Sequence, residues 1–263
     1  MRSISIIFTF LILILFSQLI FSQEMIFDTH SLNLNGELSS EDGYEDNFGR
    51  FDAYELSMQE GDFIKIKLKA EFFPLLTVVS PSGSYKLSFP SDNDPEVIYE
   101  QEINETGHWY IYVSGDSTDT GTHDLQLYYI SANSREIQKG ADICTIIQFL
   151  LAHSNTNYFY FREKEIEITK NNYDVDLTNQ NLFQSADIEV DENRINFALQ
   201  TDKSISKDKF NEWTYNISKC LANDWKEKSE NEIIIFSEIN GDRIIRLQFV
   251  ENIIKLKIIS PLK

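Results

Sequence analysis

Residues 106–115 read Thr-Gly-His-Trp-Tyr-Ile-Tyr-Val-Ser-Gly, an aromatic and β-branched run launched by one glycine and stopped by another. Large side chains of this kind suit the packed, pleated surface of a sheet, and glycine punctuates its ends. The run predicts a buried strand of an all-β unit. Its neighbours repeat the theme. Between Asp62 and Lys69, Ile64, Ile66 and Leu68 alternate with Phe63, Lys65, Lys67 and Lys69, a period of two that buries one face. Phe51–Leu56, Leu75–Val79, Ser84–Phe89, Glu96–Glu102 and Asp124–Ile130 are further short strand candidates, separated by turns such as Ser80-Pro81-Ser82-Gly83. About eight short strands with no helical pattern between them predict a two-sheet, jelly-roll-like sandwich.

Past residue 132 the period changes. Ile143, Ile146, Ile147, Leu150 and Leu151 recur at helical spacing, as do Phe210, Trp213, Ile217 and Leu221, with Trp225 less regular. Two amphipathic helices are expected, the later one capped at Ser206 and ending in the polar run 226–231. Glu232–Glu238, Arg243–Val250 and Ile253–Ile259 predict an antiparallel meander whose first turn is a tight hairpin at Asn240-Gly241. Tyr158–Phe161, Glu165–Ile168 and Arg194–Leu199 are read as added strands, the first buried on both faces. The expectation is an α+β domain with two helices on an antiparallel sheet.

The front of the chain carries one early cation, Arg2, then an apolar run to Phe21. This predicts a signal peptide over residues 1–22, the competing reading being a retained membrane anchor. The domain expectation is therefore 1–22 signal peptide, 23–132 β-sandwich and 133–263 α+β domain. Charge divides along the same boundary: Glu24–Ala132 holds 21 acidic and 5 basic residues, Asn133–Lys263 holds 21 and 17. An acidic front half repels nucleic acid and anionic lipid, so neither is an expected partner. Cys144 and Cys220 fall on the apolar faces of the two helices. In an oxidising compartment they either pair or stay buried as thiols, and the sequence leaves both open.

Asp52 and Tyr54, Gly61-Asp62 before the alternating strand, Pro74 with Leu76, Pro81-Ser82-Gly83, and Thr106-Gly107 leading into Trp109-Tyr110-Ile111 and Val113 follow one another in an order that resembles the bacterial pre-peptidase C-terminal domain over about residues 31–130. That family is a jelly-roll-like sandwich attached to many secreted hydrolases. This chain departs from it at Phe73, where an aspartate is frequent, and at His123, where a tyrosine is frequent. Calcium-binding members place acidic residues at and before their first strand, where this chain has Glu24 and Asp28. No catalytic role carries over, because the resemblance concerns the accessory domain alone.

Motifs for chemistry are sparse. Gly115-Asp116-Ser117 resembles the nucleophile block of GDS-type esterases, but the later His153 lacks the aspartate three residues ahead that those enzymes use. The tripeptide is read as a polar hairpin loop. His30, His108, His123 and His153 form no helical or hairpin pair of metal-ligand type. Asp42, Glu45, Asp46, Asp92 and Asp94 are calcium candidates by proximity, without the alternation of a calcium loop. No carboxylate pair stands out as acid and base. No cofactor is expected beyond that calcium candidate.

These features predict an exported, non-catalytic binding or accessory protein, secreted or periplasmic, with a sandwich for recognition and an α+β domain for a protein partner. Its partner is expected to be a protein or an extracellular polymer. The rivals are a secreted hydrolase with its active site in residues 133–263 and a structural or chaperone-like envelope protein. A concave site of converging polar groups favours the hydrolase, and a flat or edge-strand surface favours a binder.

Overall fold

The computed structural model describes residues 27–42, 44–45, 49–90, 96–116, 118–137, 139–164, 167–169, 172–174, 182–202, 204–221 and 224–262. The expected signal peptide lies outside them. Every strand expected between Phe51 and Ile130 forms. One sheet runs β1 (Thr29–Leu38), β9 (Gly121–Ile130), β4 (Phe63–Ala70), β7 (Val97–Glu102). The other runs β2 (Tyr44–Glu45), β3 (Gly49–Met58), β8 (Gly107–Ser114), β5 (Leu75–Val79), β6 (Tyr85–Ser88). Both are wholly antiparallel. Between them pack Ile64, Ile66 and Leu68 from β4, Leu76 and Val78 from β5, Trp109, Ile111 and Val113 from β8, and Leu125 and Leu127 from β9. The period of two is thus what builds the core.

The ten residues of β1 escape sequence reading because Asn33, Asn35 and Gly36 dilute the pattern of Leu32 and Leu34. Continuous pairing with β9, from Thr29 opposite Ile130 to Leu38 opposite Gly121, outweighs their poor strand propensity. Gly36 is there for space. A Cβ on it would fall 2.4 Å from the buried His123 ring.

Residues 143–262 form a second core around an eight-stranded antiparallel sheet. Its order is β10 (Glu167–Thr169), β11 (Asn172–Asp174), β12 (Ser185–Val190), β13 (Arg194–Gln200), β17 (Ile253–Pro261), β16 (Ile244–Val250), β15 (Ile233–Glu238), β14 (Trp225–Glu230). Helices α1 (Ile143–Ser154) and α3 (Lys207–Leu221) cover one face. Asp142 caps α1 by accepting from Thr145 N at 2.8 Å, and Ser206 caps α3 by accepting from Lys209 N at 3.2 Å. Both caps satisfy amides that the first helical turn leaves unpaired. A disulfide joins Cys144 on α1 to Cys220 on α3, with Cα atoms 6.0 Å apart.

Four expectations are corrected. Residues 106–115 hold a strand buried on one face only, because Tyr110 and Tyr112 alternate outward from Trp109, Ile111 and Val113. Tyr158–Phe161 is not a strand: Asn157 and Tyr158 take positive φ, and Phe159–Lys164 winds into a short helix, α2. The left-handed pair turns the chain sharply after α1, so the four aromatics are buried around a helical turn. Helix α3 stops at Leu221, and the polar run 225–230 becomes edge strand β14, paired with β15. Alternating lysines and glutamates make it a charged edge that resists pairing with another chain. Finally, the β15–β16 hairpin closes through a five-residue loop, 239–243, in which the Glu238 carboxylate binds the Arg243 guanidinium. Two-residue turns lie instead at Asn231-Glu232, between Glu230 and Ile233, and at Glu251-Asn252, both of the latter at positive φ, between Val250 and Ile253.

The two cores meet at a joint. Phe159 stacks on Tyr128 at 4.3 Å, and Tyr160 meets Phe63 edge-on at 6.0 Å. This contact buries Lys65 to 3% exposure, with its ammonium 2.6 Å from Glu100 and 5.0 Å from the Phe159 ring centre. Below it, the buried Asp62 carboxylate accepts from Gln59 N and Tyr129 OH, both at 2.7 Å, and from Ala132 N at 3.0 Å. Ser134 Oγ accepts from Asp28 N at 2.6 Å, Thr29 Oγ1 donates to Ala152 O at 2.5 Å, and Arg135 bridges to Gly61 O and to Glu102.

Removing a buried acceptor strands its donors, so Asp62→Ala is expected to cost about 2–4 kcal/mol in denaturant unfolding and Asp62→Asn less, because the amide oxygen keeps part of the set. Replacing both cysteines by alanine is expected to cost roughly 4 kcal/mol, since the bridge closes a loop of 76 residues. Comparison of the wild type with and without reductant checks the size of that effect.

Candidate interaction surface

Because β8 is central in its sheet, its outward residues define the middle of an open face. Cross-strand pairing places Tyr110 between Glu55 and Val79, and Val79 opposite Tyr85. The next row runs Ala53, Tyr112, Thr77, Leu87. Tyr110 and Tyr112 stack at 6.5 Å with 29° between rings, and Phe51 meets Tyr112 edge-on at 5.4 Å. Tyr85 is 65% exposed and Phe89, one residue past β6, is 56% exposed. A contiguous aromatic face on a sheet marks an interaction surface more often than a scattered exposed residue does. At one end His108 Nδ1 sits 2.6 Å from Glu55.

A cleft of about 370 Å³ opens on the other flank, between β1 and β3. Leu32, Leu56, Met58 and Leu127 line it, and Asp28, His30 and Ser57 form its polar margin. His30 stacks on Tyr129 at 6.1 Å and holds Asp28 at 2.6 Å. Strand β1 is the edge of its sheet, so cleft and edge are adjacent.

Between the two sheets lies a polar cluster that sequence reading did not assemble. Tyr54 OH and His123 Nε2 are 3.0 Å apart, Asp52 Oδ2 is 3.5 Å from the same nitrogen, and Phe72 packs 6.3 Å from the imidazole. Burial lowers the His123 pKa against the opposing pull of Asp52, and burial raises that of Asp52 despite His123. Burial likewise raises Tyr54. Asp52 and Tyr54 thus form the polar setting of His123.

A fourth feature occupies the uncovered face of the eight-stranded sheet. A shallow depression of about 190 Å³ there has Arg246, Lys255 and Lys257, Asp187, and the neutral Gln200 and Gln248 around it, with Ser185, Ala198, Leu199 and Leu256 completing its lining.

The remaining sequence candidates separate. Asp42 closes a turn by accepting from Ser39 N at 2.5 Å. Asp46, Asp92 and Asp94 lie outside the described residues, as does the side chain of Glu45. Among the described residues no group of three or more His, Cys, Asp or Glu side chains is placed to hold a metal ion. Asp116 N donates to Asp119 Oδ2 at 2.8 Å and Asp119 N donates to Asp116 O at 2.9 Å, while Ser117 lies outside the described residues. His153 is fully buried, bonds Ser134 O through Nε2 at 2.7 Å, and packs 4.5 Å from Phe149 and 4.8 Å from Phe161. Tyr110 and Tyr112 follow a period of two, but the aromatic density of residues 106–115 hid that alternation.

No family model and no curated protein matches the chain. Among solved structures, the periplasmic g-type lysozyme inhibitor PliG of Aeromonas hydrophila aligns at 15% identity and TM-score 0.30, covering 38% of this chain and 87% of that one. The pre-peptidase C-terminal domain of a Bacillus anthracis collagenase aligns at 16% identity and TM-score 0.29, covering 37% and 89%. PliG of Salmonella Typhimurium aligns at 12% identity and TM-score 0.27, covering 38% and 91%.

Burial holds the His153 pKa down at about 4, so below its ordinary range the unfolded chain takes up a proton that the folded one refuses. Stability from this residue is therefore complete above about pH 6.5 and falls as pH drops toward 4, by about 3 kcal/mol in total. Unfolding free energies measured across this interval should show a slope that His153→Gln removes.

Proposed function

We propose that the chain is an exported, non-catalytic binding protein, secreted or periplasmic, organised as a sandwich over residues 23–132 and an α+β domain over 133–263. The sandwich engages a protein partner through the outer face of β3, β8, β5 and β6. The observation that carries this reading is the row of Tyr110 and Tyr85 beside a second row of half-buried Tyr112 and exposed Leu87 on the outer face of the sheet. Tyrosine brings large contact area and a hydroxyl at low entropic cost, and such residues concentrate binding energy at interface centres. The acidic front half suits a basic partner, which its field would draw in and orient. No helix among the described residues is long and apolar enough to cross a membrane.

The four histidines lie in four separate settings: His30 and His108 are exposed and paired with carboxylates, His123 is buried beside Asp52 and Tyr54, and His153 sits in an aromatic core. The sheet depression is the concave feature nearest to what a hydrolase would need, and its charged residues, three cations with one carboxylate, suit holding an anion.

Capture of partners from the native envelope and medium tests the reading, comparing wild type with Tyr85→Ser/Tyr110→Ser. The variant should stay folded, losing no more than about 1–2 kcal/mol because Tyr110 stacks on Tyr112 in a central strand, yet weaken binding by about tenfold or more. Association should slow as salt rises. Equal capture by both proteins would refute the tyrosine face as the contact, and hydrolysis of a substrate panel by the pure protein would refute the non-catalytic role.

A further inference from the structure

We infer that the depression on the open face of the eight-stranded sheet is a recognition site for a carboxylate-bearing sugar residue, separate from the tyrosine face. Two adjacent rows of the sheet build it. One runs Asp187, Ala198, Lys257, Arg246 across β12, β13, β17 and β16, and the other runs Ser185, Gln200, Lys255, Gln248. Ala198 lies between Asp187 and Lys257 and contributes a single carbon, so the surface dips there while longer side chains rise around it.

The charge arrangement is unfavourable for an empty surface. Arg246 stands directly opposite Lys257, and like charges in that position destabilise a sheet. Lys255 adds a third cation on the same face. The chain as a whole carries a net charge of −19, yet the lining of the depression includes one carboxylate, Asp187. Lys257 reaches toward Glu189 at 3.9 Å, and Arg246 Nη2 donates to the neutral Gln248 Oε1 at 3.5 Å. A bound carboxylate relieves this repulsion, with the planar guanidinium offering two parallel donors to its oxygens.

The neutral residues select the kind of acid. Gln200 and Gln248 each present a donor and an acceptor, and Ser185 presents a hydroxyl, a set that matches the hydroxyls of a sugar ring. A volume of about 190 Å³ is below the roughly 300–1,000 Å³ of drug-sized pockets and accommodates one ring. No aromatic or methionine lines it, so an acidic protein would find no anchor of the kind that concentrates interface energy.

Titration of the full chain with D-glucuronate, followed by calorimetry or amide chemical shifts, tests the inference against D-glucose and inorganic sulfate at the same concentrations. Glucuronate should bind, glucose should bind more weakly by about tenfold or more, and added salt should weaken the glucuronate site. Arg246→Gln/Lys255→Gln should lose glucuronate binding while Tyr85→Ser/Tyr110→Ser retains it. Without ligand, Arg246→Gln should melt at or above the wild-type temperature, because Lys257 then faces a neutral neighbour. Equal binding of glucose, undiminished binding by the double variant, or sulfate binding as tight as glucuronate would overturn the assignment. So would clear destabilisation by Arg246→Gln, which would place that cation in the fold, or capture of an acidic protein that the double variant releases.

Discussion

The buried joint at residues 131–135 is the constraint on which the relation between the two cores depends. Asp62 is desolvated, and it persists because three donors from three places in the chain converge on it: the β3–β4 turn, strand β9 and the segment leaving it. Ser134 continues the network by accepting from Asp28 N with its side chain and from His153 with its carbonyl. A buried polar network of this kind specifies one arrangement, since any displacement leaves desolvated groups unpaired. At the same joint Tyr128, Phe159 and Tyr160 pack with Ile130 and Phe63 into a small apolar cluster.

That fixed arrangement leaves two sheet faces open, and they differ in chemistry. The sandwich presents tyrosines, a phenylalanine and a leucine beside acidic margins, a composition for a partner with apolar anchors. The α+β portion presents cations and amides around Ala198. Helices α1 and α3 cover the opposite face of that sheet and are held to each other by the Cys144–Cys220 bridge. A rigid backing of this type keeps the cross-strand rows in register, so side chains on the open face are positioned by the sheet rather than by loops.

Legibility in the sequence followed the strength of the local pattern. Strand β4 and helices α1 and α3 were readable because their apolar residues repeat at the period of the element, and β5 and β7 because short apolar runs are bracketed by turn residues. Strand β1 was not, because Asn33, Asn35 and Gly36 carry little local preference and its pairing with β9 supplies the stability. Tyr158–Phe161 misled for the opposite reason: four aromatics favour a strand locally, and the left-handed turn at Asn157 and Tyr158 overrides them. The hairpin signal at Asn240-Gly241 falls inside a wider loop, closed where Glu238 N donates to Arg243 O and the two side chains pair. Of the candidate surface, each tyrosine was visible, while the rows that join Tyr85 to Tyr110 and Leu87 to Tyr112 come from strands 25 residues apart in sequence.

What the residues determined alone was the alternation that makes sandwich strands, the 3.6-residue spacing that makes two helices, and the concentration of acid in the front half. These are properties of short windows, set by which side of an element each side chain leaves. Tertiary structure alone decided the company those side chains keep: Asp62 with Tyr129, His123 with Tyr54, Arg246 across from Lys257. Such neighbours are chosen by strand order and register, which depend on the simultaneous burial of both cores and leave no mark in any single stretch of chain.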